Sequence, residues 1–412
     1  MKIFFTPSPD VTIVINILLD KFENQTKHGT EHKIRNTKVV LTDISLPAYF
    51  SQIDPNPRHI ANEQLIQLEQ AGLINLAWLP GEKGHLLQSV TLKTEHSKLY
   101  NLLNREPASN MRARLETILL ADQFRFSSDD WRTRAINRTL KQLRAGKSPT
   151  PFSLTDSSWN LDLLTVLSAL STLETEIPYR VFSVRTFNDS KRFDELKPAI
   201  VRLARYANPE WKMLPVEDIL RELNLVANPT YIYLAGNWQF TTQSGEILSL
   251  GGFVPSVGFP AAQIETIQSV TIHTDSVLCI ENLTSFHEFI RARGIDNGQY
   301  AIICLMGNPS PPIRRFLQLV PETTLVRLWS DMDYGGFNIL SQLRRYVRYQ
   351  IHPYLMDIST FEKYARLSHP LTQTDIRNLK HLYARPELFD MRSIIKYLIH
   401  RGLKLEQEAI QI

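Results

Sequence analysis

The chain has 412 residues, 43% of them apolar and 21% charged, with a net charge of +4. That balance excludes a highly charged disordered chain, and the length leaves room for two to four domains with buried cores. Nowhere do about 20 apolar residues run together, so no membrane span is expected.

The first apolar run, Val11 to Leu19, follows Pro7, Pro9 and Asp10 and is interrupted by Asn16, so it lacks signal-peptide architecture. Val11, Val14, Ile15, Leu18 and Phe22 share one face at helical spacing, which predicts a helix from Asp10 to Asn24 with Asp10 as its N-cap. The loop after it, Thr26 to Arg35, holds His28 and His32 around Gly29 with no third ligand near, and reads as a solvated loop.

Ile60, Leu65, Leu68 and Ala71 then predict a helix stopped by Gly72. Ile74, Leu76 and Trp78 alternate as a strand, and the turn Pro80 to Gly84 reverses into a second strand from Leu86 to Leu92. Helices followed by a hairpin describe a winged helix. Its presumed recognition helix carries Glu63 and Glu69 and no Lys or Arg after Arg58, which favours docking or dimer support over major-groove reading.

Between Asn101 and Thr150, ten Lys or Arg face five acids. A helix is expected there from Ser127 or Ser128, with Asp130 completing a capping-box-like pattern, to Gly146. Trp131, Ile136, Leu140 and Leu143 form its apolar stripe, while Arg134, Arg138 and Lys141 form a basic face. That face is either an ordinary solvated surface or a phosphate-contacting arm. From residue 151 to about 255, helices at Ser158–Ser171 and Val216–Leu225 mix with strands at Tyr179–Thr186 and Thr230–Leu234. Lys191 and Arg192, after Asp189 and Ser190, either begin a helix or contact phosphate.

The C-terminal third is the informative part. SVLCIEN is a buried strand ending at Glu281, and TSFHEFIRARG is a helix closed by Gly294. YAIICLM is a second strand, and PSPPIRRFLQLV a helix with Pro in its first turn. TLVRLWSDMD is a third strand ending in Asp331 and Asp333, and FNILSQLRRYVRYQ is the next helix. This alternation implies a parallel sheet with right-handed crossovers, whose active residues gather at the carboxyl ends of strands. Three carboxylates there repel one another unless a cation intervenes, and hard oxygen ligands suit Mg²⁺ or Mn²⁺. Asp331 and Asp333, two apart, point the same way from an extended strand, and Gly335 and Gly336 let the turn pass close beneath them. Arg344, Arg345 and Arg348 on the following helix are placed to meet a phosphate backbone or to form a solvated face. Cys279 and Cys304 lie in the buried strands with no C-x-x-C pair, which suits a reducing, cytoplasmic setting and excludes a thiolate zinc site.

IENLTSF, LMGNPS and LWSDMDYGGFNIL resemble the Toprim domain of topoisomerases, primases and some nucleases, and more closely that of the JetD family, the nuclease subunits of Wadjet plasmid-defence systems. RVFSVRTFNDSKRFDEL and the ending LKLEQEAI resemble the same family, so the resemblance covers roughly residues 180 to 412. It implies that Glu281, Asp331 and Asp333 are metal-binding catalytic acids of a dimeric, Mg²⁺- or Mn²⁺-dependent nuclease. The implied substrate is double-stranded circular plasmid DNA, and the implied partner an SMC-type ATPase complex of motor, kleisin and accessory subunits. Asn282 and Tyr334 depart from common Toprim patterns without removing a ligand, and Glu406 and Glu408 are either a further carboxylate source or a solvated helix end. The topoisomerase VI A subunit is a more distant likeness. It uses a catalytic tyrosine, and none of Tyr179, Tyr206, Tyr231 and Tyr233 matches its motif clearly, which favours water as nucleophile. A non-catalytic DNA-binding partner of an SMC complex is the other alternative. No Walker A loop is present, so any ATP-driven motor is a partner chain.

The expected fold is thus a multidomain α+β chain. Residues 1–98 form a winged-helix-like domain, 99–150 a basic helical arm, 151–255 a second winged-helix (CAP-like) domain, and 256–412 the Toprim domain with a Rossmann-like parallel sheet.

Overall fold

The computed structural model describes residues 5–26, 37–93, 96–123, 125–274, 276–293 and 300–412. His28, His32 and the expected helix stop Gly294 lie outside the described residues. The chain divides into two compact units, residues 1–168 with 202–209, and residues 169–201 with 210–412. No helix among the described residues is long and apolar enough to cross a membrane.

The first unit begins with α1 (Pro9–Thr26), β1 (Lys38–Val40), α2 (Asn56–Gln70), β2 (Ile74–Trp78) and β3 (Leu87–Leu92). The three strands form an antiparallel sheet in the order β1-β3-β2. Val11, Ile15 and Leu18 of α1 and Leu65 and Leu68 of α2 are buried with Ile74, Leu87 and Val90 of the strands, as their spacing predicts. Asp10, expected to cap α1, instead lies inside its first turn, and Ser8 Oγ accepts from Val11 N at 3.5 Å. A polar bond set is sealed into this core: Tyr49 Oη donates to Asn62 Oδ1 at 2.8 Å and accepts from Leu87 N at 2.9 Å. Both polar ends of the tyrosine are thereby satisfied, as burial requires.

Next come α3 (Ser97–Leu102), α4 (Ala108–Gln123), α5 (Trp131–Arg144) and α6 (Ser157–Leu170). Helix α5 starts three residues later than the first serine suggested, because Asp130 itself is the cap and accepts from Arg132 N at 2.7 Å. Its buried stripe includes Ile136, Leu140 and Leu143.

The second unit opens with β4 (Ile177–Pro178) and α7 (Tyr179–Phe187). A strand was expected from Tyr179 to Thr186; the segment is helical because Tyr179 and Phe182, one turn apart, both pack on Phe193. Asn188, in the left-handed region at φ 55°, terminates this helix. Helix α8 (Arg192–Ala207), α9 (Val216–Glu222), β5 (Leu225–Val226), β6 (Tyr231–Ala235), β7 (Trp238–Thr242), β8 (Ile247–Ser249), β9 (Val257–Pro260) and β10 (Ile267–Ile272) lead to the main sheet.

That sheet is built by β11 (Ser276–Ile280), α10 (Leu283–Arg293), β12 (Tyr300–Cys304), α11 (Pro311–Gln318), β13 (Leu325–Trp329), α12 (Tyr334–Tyr346) and β14 (Ile351–Pro353). Its six strands run in the order β14-β13-β11-β12-β6-β9. The first four are parallel, as the alternation of strands and helices predicts, while β6 and β9 add an antiparallel edge drawn from upstream of residue 275. Every residue of β11 is buried, the pattern of a strand covered on both faces. The chain ends with α13 (Ile358–Tyr364), β15 (His369–Pro370), α14 (Gln373–Tyr383), α15 (Arg392–Arg401) and β16 (Leu403–Lys404), β16 pairing with β15.

Candidate active site at the carboxyl edge of the sheet

Strands β11 and β13 are parallel neighbours in register, with Ile280 opposite Trp329, so both end at one level. Glu281 follows directly, its N–H donating to Trp329 O at 3.0 Å. Its carboxylate Oε2 accepts from Asp331 N at 3.1 Å, joining the two strand ends. Asp333 caps α12 and accepts from Gly336 N at 3.1 Å. Met332, between the two aspartates, is buried and bridges to Leu405. Gly336 permits this crowding: a Cβ there would lie 2.0 Å from Asp331 O and 2.8 Å from Ser330 Oγ.

The electrostatics follow from that packing. Burial raises Glu281 well above the usual carboxylate range, and the like charges of Asp331, Asp333 and Glu408 push it further. Burial likewise raises Asp331, with repulsion from Asp333, Glu408 and Glu406, against a lowering hydrogen bond from Gln407 N. Among the described residues the trio's one ion-pair partner is Lys404, whose Nζ lies 4.0 Å from Asp333 Oδ2. No three His, Cys, Asp or Glu among the described residues form a ready-made metal cage. The donor chemistry nevertheless fits a hard divalent cation: the side chains are carboxylates, buried, mutually repelling and short of positive charge.

Sequence reasoning missed the C-terminal segment that secures this edge. Gln407 is fully buried, and its N–H donates to Asp331 Oδ1 at 2.6 Å. Its side chain donates to Trp329 O at 2.8 Å and accepts from Asn282 N at 3.0 Å, so one residue touches both strand ends. Leu403, Leu405 and Gln407 recur at period two, with Leu405 and Gln407 buried and Glu406 and Glu408 exposed, a pattern that marks Gln407 as inward-facing. Asn282, the departure from the Toprim pattern, is explained locally: its Oδ1 accepts from Thr284 N at 2.6 Å at the start of α10, and its Nδ2 donates to Glu408.

The basic residues divide by what already holds them. Arg344 does not keep the phosphate-facing role expected of it. Its guanidinium bonds both oxygens of Asp390 at 2.7 and 2.8 Å, Ile351 O at 2.9 Å and Glu387 O at 2.5 Å, and its side chain is 9% exposed. Arg345 pairs with Glu210 at 2.7 Å and Glu387 at 3.4 Å. Arg348 is 89% exposed, with only a 4.0 Å approach to Glu322. On α5, Arg134 bonds Ala207 O at 3.0 Å, Asn208 Oδ1 at 2.8 Å and Asp129 O at 2.5 Å. Arg138 stacks 4.1 Å over the Tyr206 ring, and Lys141 is exposed. Lys191 is exposed, and Arg192 pairs with Glu195 one turn on.

Residues 252–412 match the family model of the C-terminal domain of Wadjet protein JetD. The chain is also similar to Wadjet protein JetD of Bacillus cereus (strain Q1), with 24% identity over 409 residues that cover 96% of this chain and 97% of that protein. The likeness to JetD read from the C-terminal motifs is thus borne out, and it extends over nearly the whole chain.

Proposed function

We propose, from this likeness to Wadjet protein JetD, that the chain is a metal-dependent DNA endonuclease of a Wadjet defence system. In this reading the parallel-sheet domain is of the Toprim type, the N-terminal domain is a winged helix, and the substrate is double-stranded circular DNA presented by an SMC-type ATPase complex. A homodimer places one active site on each strand of a duplex. The observation that supports the chemistry is the pairing of Glu281 and Asp331 across adjacent strand ends, with Asp333 beside them.

Glu281, Asp331 and Asp333 would hold Mg²⁺ or Mn²⁺, which supplies charge neutralisation and Lewis-acid polarisation to a phosphodiester. Glu281, whose proton affinity is raised by burial and repulsion, is the residue suited to take a proton from an attacking water. Asp333 sits at the N-terminus of α12, where the helix dipole favours its negative charge. Gln407 orients Asp331 through its N–H.

The test is cleavage of supercoiled plasmid by wild-type and Asp331→Ala protein in Mn²⁺, Mg²⁺ or EDTA, with and without the SMC partner complex. Reactions are stopped in detergent and divided with or without protease. Metal-dependent nicked or linear product, absent in the variant and indifferent to protease, is expected. Full activity of Asp331→Ala would remove the assignment, and product released only by protease would indicate a tyrosine-linked, topoisomerase-like enzyme.

A further inference from the structure

We infer that Lys404 is a catalytic residue that contacts the phosphate being cleaved, an inference that rests on the nuclease reading above. Lys404 belongs to β16, at the start of the segment that runs back along the acidic edge, three residues before Gln407. Its Nζ lies 4.0 Å from Asp333 Oδ2, beyond hydrogen-bond length. The described residues record no hydrogen-bond acceptor for it, so its three N–H donors remain available. The side chain is 27% exposed, reaching solvent while remaining beside the acids.

The carboxylates that act on Lys404 are Asp333 and Asp375. Asp333 Oδ1 is engaged by Gly336 N, and Asp375 is engaged in a reciprocal cap with Thr372. Neither therefore needs the lysine to satisfy its hydrogen bonding. A site of five neighbouring carboxylates repels a polyanion, so DNA reaches it only where positive charge offsets that field. Arg344 and Arg345 are held by internal acids, which leaves Lys404 as the cation at the catalytic edge. A compact ammonium beside the acids is the group that stabilises charge growing on the non-bridging oxygens of a phosphodiester.

The experiment compares wild type, Lys404→Met and Lys404→Arg in plasmid cleavage with Mn²⁺ and the SMC partner complex, alongside Mn²⁺ binding by calorimetry and thermal melting. Lys404→Met is expected to lower kcat by about 100-fold or more while KM changes less than about threefold. Mn²⁺ affinity and melting temperature should stay at wild-type values, and Lys404→Arg should recover part of the loss. Cleavage by Lys404→Met within about threefold of wild type overturns the inference. So does a fall in Mn²⁺ affinity or melting temperature that accounts for the loss, since Lys404 would then act only by steadying Asp333. Absence of metal-dependent cleavage by the wild-type protein with its partners would instead defeat the nuclease reading itself.

Discussion

A Cβ at Gly336 would lie 2.0 Å from the backbone oxygen of Asp331, so the strain of any side chain there falls on the main chain rather than on a movable neighbour. Gly336→Ala should cost about 3 kcal/mol in urea unfolding and displace Asp331. A loss under about 0.5 kcal/mol would show that the turn is not held as described. The acids themselves set a pH dependence. Glu281 and Asp331 have folded-state proton affinities raised by burial and repulsion, so above about pH 4 the folded chain binds more protons than the unfolded one. Stability of metal-free protein should therefore fall as pH rises from the ordinary carboxylate range through the raised folded values. Mn²⁺, which needs the deprotonated acids, should bind more tightly over the same interval. Glu281→Gln should flatten the stability slope, and a slope identical to wild type would contradict the buried, repelling pair.

The terminal segment from β16 to Gln407 is a structural strap that works as one unit. Gln407→Ala keeps the N–H bond to Asp331 but deletes the side-chain bonds to Trp329 and Asn282. Leaving those buried groups short of partners should cost about 2 kcal/mol. Mn²⁺ affinity should fall beyond what stability explains, because the two strand ends lose their common tie. Unchanged Mn²⁺ affinity in a folded Gln407→Ala protein would separate the strap from the site. The segment also shows where sequence reasoning has its reach. Glu281, Asp331 and Asp333 were legible because each follows an apolar strand, and strand ends of a parallel sheet converge. Gln407 was not, since a lone glutamine among Glu406 and Glu408 resembles a solvated tail until the bridge between Met332 and Leu405 turns it inward. The helix at Tyr179–Phe187 was misread for a related reason: its β-branched residues Val181 and Val184 are exposed, while the packing contacts fall on Tyr179 and Phe182.

Across the whole molecule, a net charge of +4 says little about where DNA binds, because many arginines are consumed internally. Arg344 is a joint between α12, β14 and the segment before α15, so Arg344→Ala should destabilise the second unit by about 2 kcal/mol. It should leave the salt dependence of DNA affinity unchanged, because a guanidinium held by Asp390 releases no counterions from DNA. Lys141 in the first unit and Lys191 and Arg348 in the second keep exposed side chains. Each that contacts a phosphate adds about 0.9 to the slope of log affinity against log salt. The single variants Lys141→Ala, Lys191→Ala and Arg348→Ala should each reduce that slope by about this amount while leaving urea unfolding within about 0.5 kcal/mol of wild type. A slope unmoved by any of the three, together with one lowered by Arg344→Ala, would reverse the division between structural and DNA-facing arginines drawn from their partners.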